Sequence, residues 1–346
     1  MVMQHILEKQ HVSMSVSGVN LLAAATVVAL ASSAGGAQAA KSTDKLNVGV
    51  VAVTYSSPPI LEMAQVVIAD CKRRNWNCEV FDGKGDQTAT TNAATQFVSR
   101  KFQAIINIAS DNSLMGSAIK AASDAKVPFV SAFSGDVPGI TADISASGAI
   151  DGVLVGNEMK SAINYKGHVV LFNWNILATL RDRTQGVKAA LFDAKGIKLT
   201  EIEVKVPGQV EDTFNRLTAL LHANKDINGI IVGWGELAAG AVRAVEIAGM
   251  TDKIRVMGMD GIQPVYDLMR KGNSPYVMSV AYSKKSIAEK TTEVVADVID
   301  GKKVASRALW TRTCLVTKDT LPPIGQEVDF RKCTPFSGEV GAIHPS

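Results

Sequence analysis

The chain lacks a membrane-length apolar run. Its longest uninterrupted stretch, Leu21 to Ala31, falls short of the roughly 20 residues a bilayer-crossing helix needs. Charge of one sign is missing too. Thirty-six basic and 33 acidic residues leave a net charge of +3, and no Lys/Arg run with interleaved aromatics offers a groove to nucleic acid. Histidine is scarce: five scattered residues, with His5 and His11 near the start. No pair of cysteines has the close spacing with neighbouring histidines that zinc requires, so no metal and no cofactor is expected. G-x-S-x-G, P-loop, H-E-x-x-H and G-x-G-x-x-G motifs are absent, as is an Asp-rich calcium loop. The carboxylates Asp182 and Glu211 have nothing in the sequence to bring them together. A secreted enzyme is disfavoured on these grounds.

What is present begins with residues 21–39, LLAAATVVALASSAGGAQA. A short apolar core ends in small residues, and Ala37-Gln38-Ala39 fits an A-x-A cleavage site, so residues 1–39 read as a secretory signal peptide. Lys9 is its only firm positive charge, which leaves a start at Met14 open. Removing this segment takes away one basic and one acidic residue and leaves residues 40–346, enough for two lobes. The expected location is the periplasm. In that oxidising compartment the four cysteines read as disulfides. Four allow three pairings, and free buried thiols are the alternative. Cys71–Cys78 is favoured, because CKRRNWNC reads as a helix end turning into a strand, and Cys314–Cys333 then staples the tail.

Strands and helices alternate. Residues 46–54 form an apolar, β-branched run suited to a strand buried on both faces. Residues 60–75 place Ile60, Met63, Ala64, Val67, Ile68 and Cys71 at helical spacing. Strands follow at 78–81, 104–109 and 127–132, with helices at 88–101 and 111–125. The rhythm restarts with strands at 168–172, 201–206, 229–232, 255–259 and 276–281 and helices at 183–195, 210–223, 236–248 and 286–299. Two successive runs of βαβ units imply two doubly wound α/β lobes with open parallel sheets. Residues 140–147 have neither period and are the candidate for a first crossing between lobes. The Pro- and Gly-rich tail from 320 reads as irregular.

Ligands in such sheets bind beyond the carboxyl ends of strands. Aromatics are 5% of the chain, yet Tyr55, Phe133, Trp174, Trp234 and Tyr282 all fall there, with Ser57, Ser134, Asn175 and Asp260 among them. Aromatic faces cover apolar C–H surfaces, while amides and charged groups satisfy hydroxyls. The mixture suits a sugar or polyol. Plain packing of the aromatics and a turn-forming Asp-Gly at 260 are the competing readings.

The segments VGVVAVTYSSPPI (48–60), AIINIASDNSLMGSAIKAASDAKVPFVS (104–131), RDRTQGVKAAL (181–191), GIIVGWGELAAGAVRAVEIAG (229–249) and VMGMDG (256–261) together resemble the ribose-binding-protein-like periplasmic binding proteins of type I. These are the sugar receptors of ABC importers, kin to the effector domains of the lac-repressor family. The resemblance implies a three-crossing hinge near residues 147, 283 and 311. That makes one lobe of 45–147 plus 283–311 and another of 148–282 plus 312–346. It implies solute contacts from Ser57, Pro59 and Ile60, from Phe133 and Ser134 where relatives carry aspartate first, and from Arg183 with Gly186. Trp234 stands where relatives carry asparagine, Asp260 in the strand–DG turn, and Tyr282 where glutamine is common. Arg183 and Asp260 are expected to orient the solute, with Trp234, Phe133 and Tyr282 stacking. Exchanging Asp and Asn for Phe133 and Trp234 points to a solute with fewer hydroxyls. The implied partner is an ABC permease, the implied state a monomer. A sensory receptor for chemotaxis or a histidine kinase is the alternative. The leader and the missing N-terminal helix-turn-helix disfavour a transcription regulator.

Overall fold

The computed structural model describes residues 45–333, so the signal-peptide expectation for 1–39 lies outside the described residues. The chain runs β1 (Asn47–Ala52), α1 (Pro58–Arg73), β2 (Asn77–Asp82), α2 (Gln87–Ser99), β3 (Ala104–Ile108), α3 (Gly116–Asp124), β4 (Phe129–Ala132) and β5 (Ala142–Ser145). It continues with α4 (Gly148–Ala162), β6 (Gly167–Asn173), α5 (Ala178–Leu191), β7 (Ile197–Glu203), α6 (Gln209–Ala223), β8 (Ile227–Val232), α7 (Leu237–Ile247), β9 (Arg255–Asp260), α8 (Gln263–Arg270) and β10 (Tyr276–Tyr282). Then come α9 (Lys284–Ile299), β11 (Ala308–Trp310) and β12 (Thr313–Thr317).

These strands form two six-stranded sheets, ordered β11-β5-β4-β3-β1-β2 and β12-β10-β9-β8-β6-β7. The first is parallel throughout. The second is parallel except for β12, which runs antiparallel to β10. Apolar side chains on both faces dictate this. In the first sheet Val50 and Ile106 pack on Met63 and Val67 of α1 and Ile287 of α9. On its other face Val51 and Ile105 meet Phe97 of α2 and Ile119 of α3. In the second, Val169 and Leu171 meet Val155 and Met159 of α4, while Val170 and Phe172 meet Leu217 and Leu221 of α6. Sheets covered on both faces are the doubly wound solution for such strands.

The chain passes between the sheets three times, after β5, β10 and β11. The first two passages end at serines that cap the next helix. The Ser147 hydroxyl accepts from the Ile150 N–H at 3.4 Å, and the Ser283 hydroxyl accepts from the Ser286 N–H at 3.0 Å. In the third, the Thr311 N–H donates to the Ser145 carbonyl at 2.9 Å. Disulfides join Cys71 to Cys78 and Cys314 to Cys333. No helix among the described residues is long and apolar enough to cross a membrane.

Several elements depart from the sequence reading. Residues 140–147 contain β5, which hides because Asp143 breaks its apolar pattern. That carboxylate is buried, accepting from the Ser131 hydroxyl at 2.6 Å and the Ser134 N–H at 3.0 Å. Helix α4 escaped notice for a different reason. It is apolar nearly all round, with glycines at 148, 152 and 156 where an amphipathic stripe would be read. At Gly152 a Cβ would lie 2.1 Å from the Arg183 carbonyl, and at Gly186 one would lie 2.2 Å from the Ala149 carbonyl. Helices α4 and α5 therefore meet backbone to backbone. Helix α5 itself starts at Ala178, not Arg183, and β7 lies earlier than 201–206, as an edge strand with alternating exposure. Helix α8 follows the Asp260-Gly261 turn and carries Pro264 in its first turn, which reads locally as a break.

Candidate functional site

A cavity partly open to solvent lies where the carboxyl ends of both sheets face each other. The loop after β1 and the start of α1 contribute Thr54, Ser56, Ser57, Pro59, Ile60 and Met63. The ends of β3 and β4 contribute Ala109 and Phe133. From the second sheet come Trp174, Leu177, Thr179, Leu180 and Arg183 around the start of α5, Val206 and Gln209 before and in α6, and Trp234, Glu236, Asp260 and Tyr282 beyond β8, β9 and β10.

Of the residues expected from sequence, Ser57, Ile60, Phe133, Trp174, Arg183, Trp234, Asp260 and Tyr282 line this cavity. Tyr55, Ser134 and Asn175 do not. The Tyr55 N–H donates to Asp82 at 3.1 Å while its ring packs against the first sheet's core, and burial, helped by Asp82, pushes its phenol up to about 12. Ser134 spends its N–H on Asp143 and its hydroxyl on the Ala132 carbonyl at 3.0 Å. Asn175 is bound to Glu203 and to the Thr184 hydroxyl, which donates to it at 2.9 Å. Thr179, Leu177 and Gln209 were missed. They sit on helix starts and loops whose bounds the pattern misplaced.

The floor of the cavity is a buried ion cluster. Arg183 Nη2 lies 2.8 Å from Asp260 Oδ1 and 3.7 Å from Asp151 Oδ2, and Nη1 donates to the Gly233 carbonyl at 2.7 Å. Asp260 Oδ2 accepts from the Gly235 N–H at 3.1 Å. All three charged side chains are buried. Burial alone would lower the guanidinium's pKa, but Asp260, Tyr282 and Asp151 more than reverse it. Asp151 reaches the cluster because the glycine contacts let α4 lie directly on α5.

Two rings cover this cluster. Phe133 and Tyr282 stack with centroids 4.9 Å apart, and the Arg183 guanidinium carbon is 5.6 Å and 5.7 Å from them. Burial, reinforced by Asp260, holds the Tyr282 phenol far above its ordinary range, so it is neutral. Three non-glycine residues on the wall, Ala109, Phe133 and Asp260, have left-handed backbones, with φ of 58°, 63° and 87°. Such strain, about 1–3 kcal/mol each, is kept where the surroundings fix it and commonly marks functional sites.

The two sides also touch at the rim. Arg181 on α5 forms a 2.7 Å ion pair with the buried Asp111 after β3, and the Thr179 hydroxyl donates to the Phe133 carbonyl at 3.4 Å.

The cluster makes stability depend on pH. Burial, reinforced by Asp260 and opposed by Arg183, pushes Asp151 up to about 7, against about 3.9 for an aspartate in the unfolded chain. Stability from the protonated form is whole below about pH 4 and is lost as pH rises through about 7. Asp143, raised by burial to about 6, adds in the same direction. Urea unfolding from pH 4 to 7 should therefore show Asp151→Asn losing less stability with rising pH than the wild type. Parallel profiles would contradict the assignment.

A model of the periplasmic binding protein domain matches residues 48–303. The ribose import binding protein RbsB of Salmonella typhimurium is 23% identical over 271 residues, covering 76% of this chain and 88% of the relative. A solved ABC transporter solute binding protein from Agrobacterium vitis with bound allitol superposes with a TM-score of 0.76 at 22% identity, covering 80% of this chain and 97% of that one. A 5-methylthioribose transporter solute binding protein from Thermotoga lettingae gives 0.74 at 20% identity, over 79% and 86% of the two chains.

Proposed function

Because the chain belongs to the periplasmic binding protein domain family, we propose that it captures a small sugar-like or polyol solute between its lobes and delivers it to an ABC import permease in the inner membrane. One observation carries this reading: a single cavity is walled by strand ends of both sheets, so a guest bridges the two. Its lining, mostly apolar with a few polar and charged groups, is the usual composition of a small-molecule site. The names of similar proteins, which bind ribose, allitol or 5-methylthioribose, support the chemical class. Strand pairing supports lobes of 45–147 plus 283–311 and 148–282 plus 312–333, swinging about the three crossings, while residues 334–346 of the expected second lobe lie outside the described residues. A guest that touches both lobes favours the closed form by its differential affinity.

Solute contacts come from Ser57, Ile60, Phe133, Trp174, Arg183, Trp234, Asp260 and Tyr282, joined by Thr179, Gln209 and Glu236. Tyr55, Ser134 and Asn175 support the wall from behind. The whole cavity is built from one chain, which suits a monomer, and export by residues 1–39 places it in the periplasm. Thermal unfolding of residues 40–346 with ribose, allitol and their relatives tests the proposal. A solute at about a hundredfold excess over its Kd adds about 2.7 kcal/mol of stability. A clear rise in Tm with at least one sugar or polyol is expected. An unchanged Tm across the set overturns the reading.

A further inference from the structure

The cavity wall has three charged side chains, and only two of them answer each other. Arg183 and Asp260 are paired at 2.8 Å. Glu236 forms no ion pair among the described residues. Its Oε2 instead accepts from two neutral donors, Trp234 Nε1 and Gln209 Nε2, each at 3.0 Å. Those bonds fix the carboxylate without neutralising it, and both fall on one oxygen. Oε1 is left for a further donor. The stacked Phe133 and Tyr282 rings meanwhile sit over Arg183, whose charge is already spent on Asp260. The charge in the cavity still open to a guest is therefore that of Glu236, held by Trp234 and Gln209.

A half-buried carboxylate in a cavity that two indole rings, Trp174 and Trp234, also line suits one chemical group best. An ammonium gains a charge-assisted hydrogen bond from the first and cation–π attraction from the second. A neutral hydroxyl would bond to Glu236 but leave its charge uncompensated. A sugar acid would meet that charge with its own.

Resting on the reading of the cavity as a sugar or polyol site, we propose that the solute carries a protonated amino group, held by Glu236 with Trp174 and Trp234 on its flank. The class is an amino sugar or amino polyol.

Calorimetry on residues 40–346 with matched probes tests this: glucosamine against glucose, galactosamine against galactose, meglumine against sorbitol, and serinol against glycerol. The amino member of at least one pair should bind about tenfold or more tightly, the worth of one hydrogen bond to a charged group. Glu236→Gln should erase that preference, and Glu236→Asp, which keeps the charge, should retain part of it. Neutral members that bind as well as or better than their amino partners in every pair that binds overturn the amine and leave solute capture standing. So does an amino preference that survives intact in Glu236→Gln. No binding by any probe, ribose and allitol included, overturns the sugar-like reading itself.

Discussion

Arg183→Met should lower the free energy of unfolding by about 3–5 kcal/mol, because removing one member of a buried ion cluster strands its partner. Asp260 would remain buried with no cation. The guanidinium also ties α5 to β8 through the Gly233 carbonyl. Urea unfolding of the two proteins at neutral pH measures the loss. A loss under about 1 kcal/mol, the worth of an exposed pair, would mean that the cluster is solvated and plays no part in holding the cavity floor.

Gly152→Val should be nearly as severe, at about 3 kcal/mol. Even a Cβ at this position would lie 2.1 Å from the Arg183 carbonyl and 2.9 Å from the Gly186 Cα. Both obstacles are backbone, so the helices must part. Parting them draws Asp151 away from Arg183, and solute affinity should fall along with stability. Gly272→Ala is the control, since nothing lies within 4 Å of a Cβ there and its backbone is not left-handed. Equal melting temperatures for Gly152→Val and the wild type would contradict the close packing of α4 on α5.

That helix pair also marks where the sequence stopped being readable. The rhythm of strand and helix is plain wherever strands are mostly apolar and carry no charge, as in β1, β3 and β8. It failed at α4, where glycines every four residues replace the apolar stripe with backbone contact, and at β5, where a buried aspartate looks like a surface residue. In the cavity, Phe133, Trp174, Trp234 and Tyr282 were legible because strand ends in such sheets converge. Strand-end position does not fix where a side chain points, however. Tyr55, Ser134 and Asn175 share that position and turn to Asp82, Asp143 and Glu203 instead. Gln209 could not be found at all from local pattern, because only the meeting of α6 with the loop after β8 brings it to Glu236.

The pairing of Arg181 with Asp111 bears on the balance between open and shut forms. It joins the two sides of the rim through the chain's own charges. A partly exposed bridge of this kind is worth up to about 1 kcal/mol, which multiplies the shut-to-open ratio of the unloaded receptor by up to about fivefold. Unloaded copies in the shut shape would then compete with loaded ones for the transporter. Rising ionic strength, by screening the bridge, would relieve that competition and sharpen the difference between idle and laden traffic.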